Sequence, residues 1–289
     1  MTMRKRMLIW GWMLMVGLPL MLFARSDEVI KKEIPVTKEK SLEVNMEMGL
    51  ANLEIFAGEP STLIFARVEY NPEKINPIID YREGSKGILD IESHKKHRTK
   101  IEDFDKGEND WQLAFSNRIP IAINLELGLG EGDLNLSDLQ IDGLSIDAGL
   151  SELMIAFNSP NKERIRKFSV ESGLGEFTAK GLLNANIDEF KFSGGLGEST
   201  LCFTGDMQNS TNAKIEVGLG SVKIFIKDGL PVKVYYQKSF LSSLDLQYFR
   251  KIEDNVYISR NWDDDAAKKL IIDLEIGLGA VTIDWGCGD

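Results

Sequence analysis

The chain is poor in the side chains that do most enzyme and metal chemistry. Its 289 residues include two histidines, His94 and His97, and two cysteines, Cys202 and Cys287. Both histidines fall in one charged stretch, so a Ser-His-Asp or Cys-His arrangement would have to be assembled there. Histidines three apart can begin a metal site, but no third ligand follows at a definite spacing. With Lys95, Lys96, Arg98 and Lys100 they read as a basic loop in an acidic protein. There is no P-loop, and the Gly-Leu-Gly segments lack the third glycine and the following helix of a dinucleotide site. The residues therefore predict a non-enzyme with no catalytic residue, no cofactor and no metal site. Positive charge is also scarce: 34 Lys and Arg face 45 Asp and Glu, a net charge of −11. That balance argues against binding nucleic acid or anionic lipid by charge. Two cysteines cannot decide a disulfide. Cys202 precedes the core position Phe203 and is expected to face outward.

Long apolar runs are absent beyond the first. Met7 to Phe23 spans 17 residues behind the basic head Arg4-Lys5-Arg6. Residues 1–24 thus read as an export signal with Ala24 as the cleavage position, or as an uncleaved anchor of nearly spanning length. On either reading the remainder is exported and is periplasmic, cell-surface or secreted. Membrane contact is then expected only through the N-terminal segment, if uncleaved. Proline is sparse at 8 residues, whereas 26 glycines and a 43% hydrophobic content suit a chain that buries a core through tight corners.

Those glycines repeat. A Gly-Leu corner occurs at Gly49-Leu50, Gly128-Leu129, Gly149-Leu150, Gly173-Leu174, Gly195-Leu196, Gly218-Leu219 and Gly277-Leu278. From Gly128 to Gly218 the steps are 21, 24, 22 and 23 residues. A near-constant period of this size reads as stacked solenoid repeats. Three places before the glycine lie Met46, Leu125, Ile146, Val170, Phe192, Ile215 and Leu274. Six places after it lie Ile55, Leu134, Ile155, Ala179, Leu201, Ile224 and Ile283. Apolar residues alternate on both sides of the corner, the period-two sign of strands. The expected fold is all-β: a single-stranded right-handed β-helix with irregular N- and C-terminal capping segments. Positive φ is expected at the corner glycine, and the corner leucines are expected to stack in a buried column. An antiparallel sandwich is the rival, disfavoured because hairpins come at shorter intervals.

Chain organisation follows. Residues 25–40 read as a polar linker, and 41–118 as an N-terminal β region with strands at Leu63–Tyr70, Ile88–Glu92 and Trp111–Phe115. Ser93 to Asp110 reads as a charged loop. Residues 119–289 form the solenoid, with a hairpin-like insertion at 228–270. Open strand edges at the ends of a solenoid must be covered, and 41–118 and 228–270 are the natural covers.

The outward positions predict two acidic columns. Two before the glycine stand Glu126, Asp147, Glu171, Glu216 and Glu275, with Glu47 in the first copy. Three after it stand Glu131, Glu152, Glu176 and Glu198. The plain reading is a solvated acidic face that keeps sheets apart. The sharper reading is a ridge that collects divalent cations or cationic envelope-active peptides; carboxylate oxygens suit Ca²⁺, but no compact calcium loop is present. Asp263-Asp264-Asp265 after Trp262 reads as an exposed turn or helix start, with cation binding as the alternative. A polysaccharide-active β-helix enzyme using outer carboxylates is a lower alternative.

Two stretches carry a resemblance. Leu42 to Ile55, with Val68-Glu-Tyr-Asn71-Pro and Pro77-Ile-Ile-Asp80-Tyr, resembles the N-terminal domain of bacterial toast-rack proteins. Trp111-Gln-Leu, Asn117 to Gly130 and Ile146-Asp-Ala-Gly149-Leu-Ser fit the same pattern. The wider relatives are putative-adhesin β-strand-repeat proteins and the C-terminal domain of cell-wall-active-antibiotic-response proteins. The resemblance covers about residues 40–226. It implies an exported or envelope-facing single-stranded β-helix; the export signal, the repeat and the missing active site predict a module for interaction, adhesion or scaffolding whose partner is an envelope protein or cell-surface component. It transfers no catalytic residue.

Overall fold

The computed structural model describes residues 27–96, 109–237, 239 and 241–286. The N-terminal signal or anchor, His97 and Cys287 lie outside the described residues. Among the described residues all regular elements are strands. They are β1 (Glu28–Pro35), β2 (Ser41–Met48), β3 (Ala51–Gly58), β4 (Thr62–Tyr70), β5 (Ile75–Arg82), β6 (Lys86–Lys95), β7 (Asn109–Ser116), β8 (Pro120–Asn135) and β9 (Gln140–Ala156). Then follow β10 (Ile165–Lys180), β11 (Ile187–Phe203), β12 (Thr211–Ile226), β13 (Val232–Gln237), β14 (Leu241–Leu246), β15 (Phe249–Glu253), β16 (Val256–Ser259) and β17 (Leu270–Trp285).

Parallel pairing makes a solenoid. β8 pairs with β9, β9 with β10, β10 with β11, β11 with β12, and β12 with β17, each in parallel through both arms of the corner. β2 and β3 together form the layer below β8. β6 and β7 form the layer below that. β13 and β14 lie in parallel on β17 at the opposite end. The described residues thus stack in nine layers, and the seven inner ones carry the Gly-Leu corner. The antiparallel sandwich is ruled out by these parallel ladders.

The periodicity explains the core. Apolar side chains at the alternating positions point between the two arms, and Ile146, Val170, Phe192, Ile155, Leu201 and Ile224 are all buried. Aromatic rings stack from layer to layer: Phe177 on Phe192 at 5.2 Å, and Phe168 edge-on to Phe190 at 5.1 Å. Each such buried side chain is worth roughly 1.5–3 kcal/mol relative to exposure. Where the arms close, away from the Gly-Leu corner, buried asparagines satisfy the turn backbone. Asn161 Nδ2 donates to the Ile141 and Ala185 carbonyls at 2.7 and 3.2 Å, and Asn184 Nδ2 to that of Phe157 at 2.8 Å. Buried backbone acceptors in a turn need such partners.

Several expectations change. The caps depart from the repeat as expected, but they are built of antiparallel strands. Residues 28–35, read as linker, form β1, antiparallel to β4, and β4 in turn lies antiparallel on β7. β5 lies antiparallel on β6. At the other end β16 pairs with β13 and β15 with β16, both antiparallel. Antiparallel strands therefore cover both ends of the parallel stack. The solenoid also begins before residue 119, because β2–β3 and β6–β7 are full layers. Ser93 to Lys95 belong to β6 and Asn109–Asp110 to β7, which shortens the expected loop to its middle. Cys202 is buried rather than exposed, and it is disulfide-bonded, which the count of two cysteines leaves open.

The corner leucines are the main correction. Leu150 is 54% exposed and Leu196 50%, with Leu174, Leu219 and Leu278 also exposed and Leu50 and Leu129 half-buried. The two strand arms alternate out of phase. The residue before the glycine and the residue two after it both point inward, as Ala148 and Ser151 do. The glycine and leucine between them must both face solvent. The glycine itself does not hold positive φ. That conformation belongs to the glycine two places on, as in Gly175 at φ 139°. The first glycine is needed for close approach: a Cβ on Gly149 would stand 2.5 Å from the Gly128 carbonyl oxygen of the layer below.

Candidate functional site

The corner lines up three rows of side chains along the stack. In the middle run the leucines, Leu129 opposite Leu150, Leu150 opposite Leu174, then Leu196, Leu219 and Leu278. Leu241 of β14 faces Leu278 and is itself 60% exposed. The insertion strand thus extends the row by one layer, although no glycine precedes it. Leu50 continues the row at the other end, since Met48 faces Leu127 and Ala51 faces Gly130.

Carboxylates flank the leucines on both arms. On one side Glu47 faces Glu126, then Asp147, Glu171, Ser193, Glu216 and Glu275 follow in register. On the other, Glu131 faces Glu152, then Glu176 and Glu198 follow, with Asn52 before them and Ser221 and Ala280 after. The expected columns are therefore brought together in register, but around an exposed apolar row rather than over a buried one. Like charges one strand spacing apart repel by roughly 0.8 kcal/mol per pair in water.

Ion pairs compensate Glu216 and Glu198. Lys214 Nζ pairs with Glu216, and Ser193 Oγ donates to the same carboxylate at 3.1 Å. The Lys214 hydrogen bond holds Glu216 below the usual carboxylate range against the opposing effect of burial. Lys223 stands 3.9 Å from Glu198. Glu126, Asp147, Glu171, Glu152 and Glu176 have no ion-pair partner among the described residues. Glu47, Glu126 and Asp147 line a shallow hollow of about 250 Å³ beside Gly49, Gly128 and Gly149. Among the described residues, no group of three or more Asp, Glu, His or Cys side chains converges as a metal site would require. The carboxylates stand in rows instead.

The remaining candidates are local. His94 lies on β6, exposed, with Nε2 2.6 Å from Glu92 Oε2. The aspartates form a turn in which Asp265 N donates to Asp263 Oδ1 at 2.9 Å. One charged residue escaped the sequence reading. Glu39, between β1 and β2, is buried and accepts hydrogen bonds from Tyr81 Oη at 2.5 Å, Thr37 N at 2.7 Å and Thr37 Oγ1 at 2.9 Å. Burial raises its pKa, but these hydrogen bonds together lower it further, to about 2. A lone glutamate in a polar stretch gives no signal of this in the sequence.

A family model described as the N-terminal domain of toast_rack matches residues 23–180. Among solved structures, a "putative cell adhesion protein" from Clostridium sporogenes is 17% identical with a TM-score of 0.45, covering 90% of this chain and 100% of its own. A "putative adhesin" from Bacteroides fragilis is 13% identical with a TM-score of 0.29, covering 91% and 99%. A "putative lipid binding protein" from Parabacteroides distasonis is 10% identical with a TM-score of 0.34, covering 90% and 97%. No curated protein matches the chain at a significant level.

Proposed function

The chain belongs to the toast-rack family, and from that premise we propose that it is an exported, non-enzymatic module for adhesion or scaffolding in the cell envelope. The observation that carries this reading is the corner face: one row of solvent-facing leucines held in register on a parallel stack. Soluble proteins seldom expose a contiguous apolar patch of more than a few hundred Å² unless it binds something. The apolar run behind Arg4-Lys5-Arg6 supports export. A rigid stack suits a scaffold because each layer is braced by its neighbours.

The test is retention on isolated cell envelopes. The full chain is expected to be retained, and a triple variant, Leu150→Ser with Leu174→Ser and Leu196→Ser, is expected to lose retention while unfolding at the same temperature. Equal retention of both proteins would remove the reading, as would turnover of envelope glycans by the purified protein. A second reading, capture of cationic groups by the carboxylate rows, draws on their register and on Glu126, Asp147, Glu152, Glu171 and Glu176, which lack ion-pair partners among the described residues.

A further inference from the structure

The geometry points to the occupant of the corner face: a basic amphipathic helix of another polypeptide, its apolar stripe on the leucines and its Lys and Arg residues on the two acidic rows. This rests on the reading of the corner face as the interaction face, and it names the chemistry of the partner.

Three observations select a helix with that charge. The first is spacing. Layers about 4.8 Å apart carry one leucine each. An α-helix laid along the row presents its apolar stripe once per turn of about 5.4 Å, whereas an extended strand repeats on one face at about 6.7 Å. The helix is the closer match. From Leu50 to Leu241 the row has eight leucines, so it spans about 34 Å at that layer spacing. A helix of about 22 residues covers that length.

The second is width. Each leucine lies three residues from the carboxylate on one arm and two residues from that on the other. At no more than about 3.3 Å per residue the rows therefore lie within about 7–10 Å of the leucines. A helix about 10–12 Å across seats on the leucines with flanking basic side chains above both rows.

The third is charge. Glu126, Asp147, Glu171, Glu152 and Glu176 are exposed and lack ion-pair partners among the described residues. A second copy of this chain would set the same acids against each other, and an anionic membrane would be repelled. A cationic partner relieves the repulsion already present within each row. Two amphipathic surfaces of opposite charge also give specificity, since a partner that matches only one of the two features binds less well.

The experiment uses designed 22-residue helical peptides and the full chain. One peptide has a leucine stripe bracketed by lysines. A second keeps the stripe and replaces lysine by glutamate. A third keeps the lysines and replaces the stripe by serine. The first is expected to bind, and the second and third at least tenfold more weakly. The triple leucine variant above is expected to lose at least tenfold in affinity for the first peptide. A variant with Asp147→Asn, Glu152→Gln, Glu171→Gln and Glu176→Gln is expected to lose a similar factor and to show a flatter salt dependence. Thermal unfolding of both variants, expected to match wild type, separates lost binding from lost fold. Equal binding of the first and third peptides would overturn the proposal in favour of charge alone. Binding to neutral phosphatidylcholine vesicles without binding to the first peptide would overturn it in favour of a lipid surface. If no peptide binds while envelope retention still depends on the leucines, the occupant is wrong and the interaction face stands. If retention is also independent of the leucines, both fail.

Discussion

Glycine and glutamate set the local rules of this stack. Gly149 lies over Gly128, with room for hydrogen but not for a methyl group. Gly49 occupies the same motif position, yet an added Cβ there would meet nothing closer than the Ser93 carbonyl oxygen at 3.7 Å. Gly149→Ala is therefore expected to destabilise by about 1–3 kcal/mol through backbone displacement, and Gly49→Ala by less than about 0.5 kcal/mol. Urea unfolding of the two variants checks the contrast, and equal effects would refute the close-approach argument. Glu39 sets an acid limit. Its carboxyl is held at about 2 in the fold against an ordinary value of 4.5. The stabilisation is full above about 4.5 and is lost as pH falls from there towards 2. Glu39→Gln is expected to cost about 1–3 kcal/mol at pH 7, with the variant and wild type converging near pH 2. Stability curves from pH 2 to 7 that run parallel would contradict it.

At the scale of the repeating strand, burial and exposure separate cleanly. Phe177→Ala is expected to cost about 3–5 kcal/mol, because the ring is buried and stacked on Phe192. Leu174→Ser, three residues away, is expected to cost less than about 0.5 kcal/mol; chemical denaturation distinguishes the two. Much of this element was legible in the sequence. The period, the strand-corner-strand unit, the inward positions three before and six after the glycine, and both acidic rows follow from counting. The leucines' direction was legible too. Counting back in twos from Ile155 puts Leu153 and Ser151 inside and Leu150 outside. Leucine's apolar character argued the other way, and the parity decides, because a side chain in a pleated strand has only two faces. Other features left no local trace. β1 alternates only between half-buried and exposed positions, with Lys32 sharing the inner face with Ile30 and Ile34, and its partner β4 lies well along the sequence, so it does not read as a core strand. Leu241 joins the row without a Gly-Leu motif, because β14 is placed by its pairing with β17 alone.

Across the whole molecule, charge and order of assembly matter most. The net charge of −11 and the in-register carboxylates predict stabilisation by salt. Raising NaCl from about 10 mM to about 0.5 M is expected to raise the urea midpoint; a fall would mean that attractive pairs such as Lys214–Glu216 dominate. Assembly order follows from where β17 lies. It sits between β12 and the pair β13–β14, although it comes after both in the chain. A polypeptide made amino end first therefore completes most of its layers, then waits for the residues of β17 before the far rim can seal. Until they emerge, β12 has bare backbone donors and acceptors open to a neighbouring nascent chain. A chain cut before β17 would leave that rim permanently unsealed, so one strand decides whether the far end of the stack is finished at all.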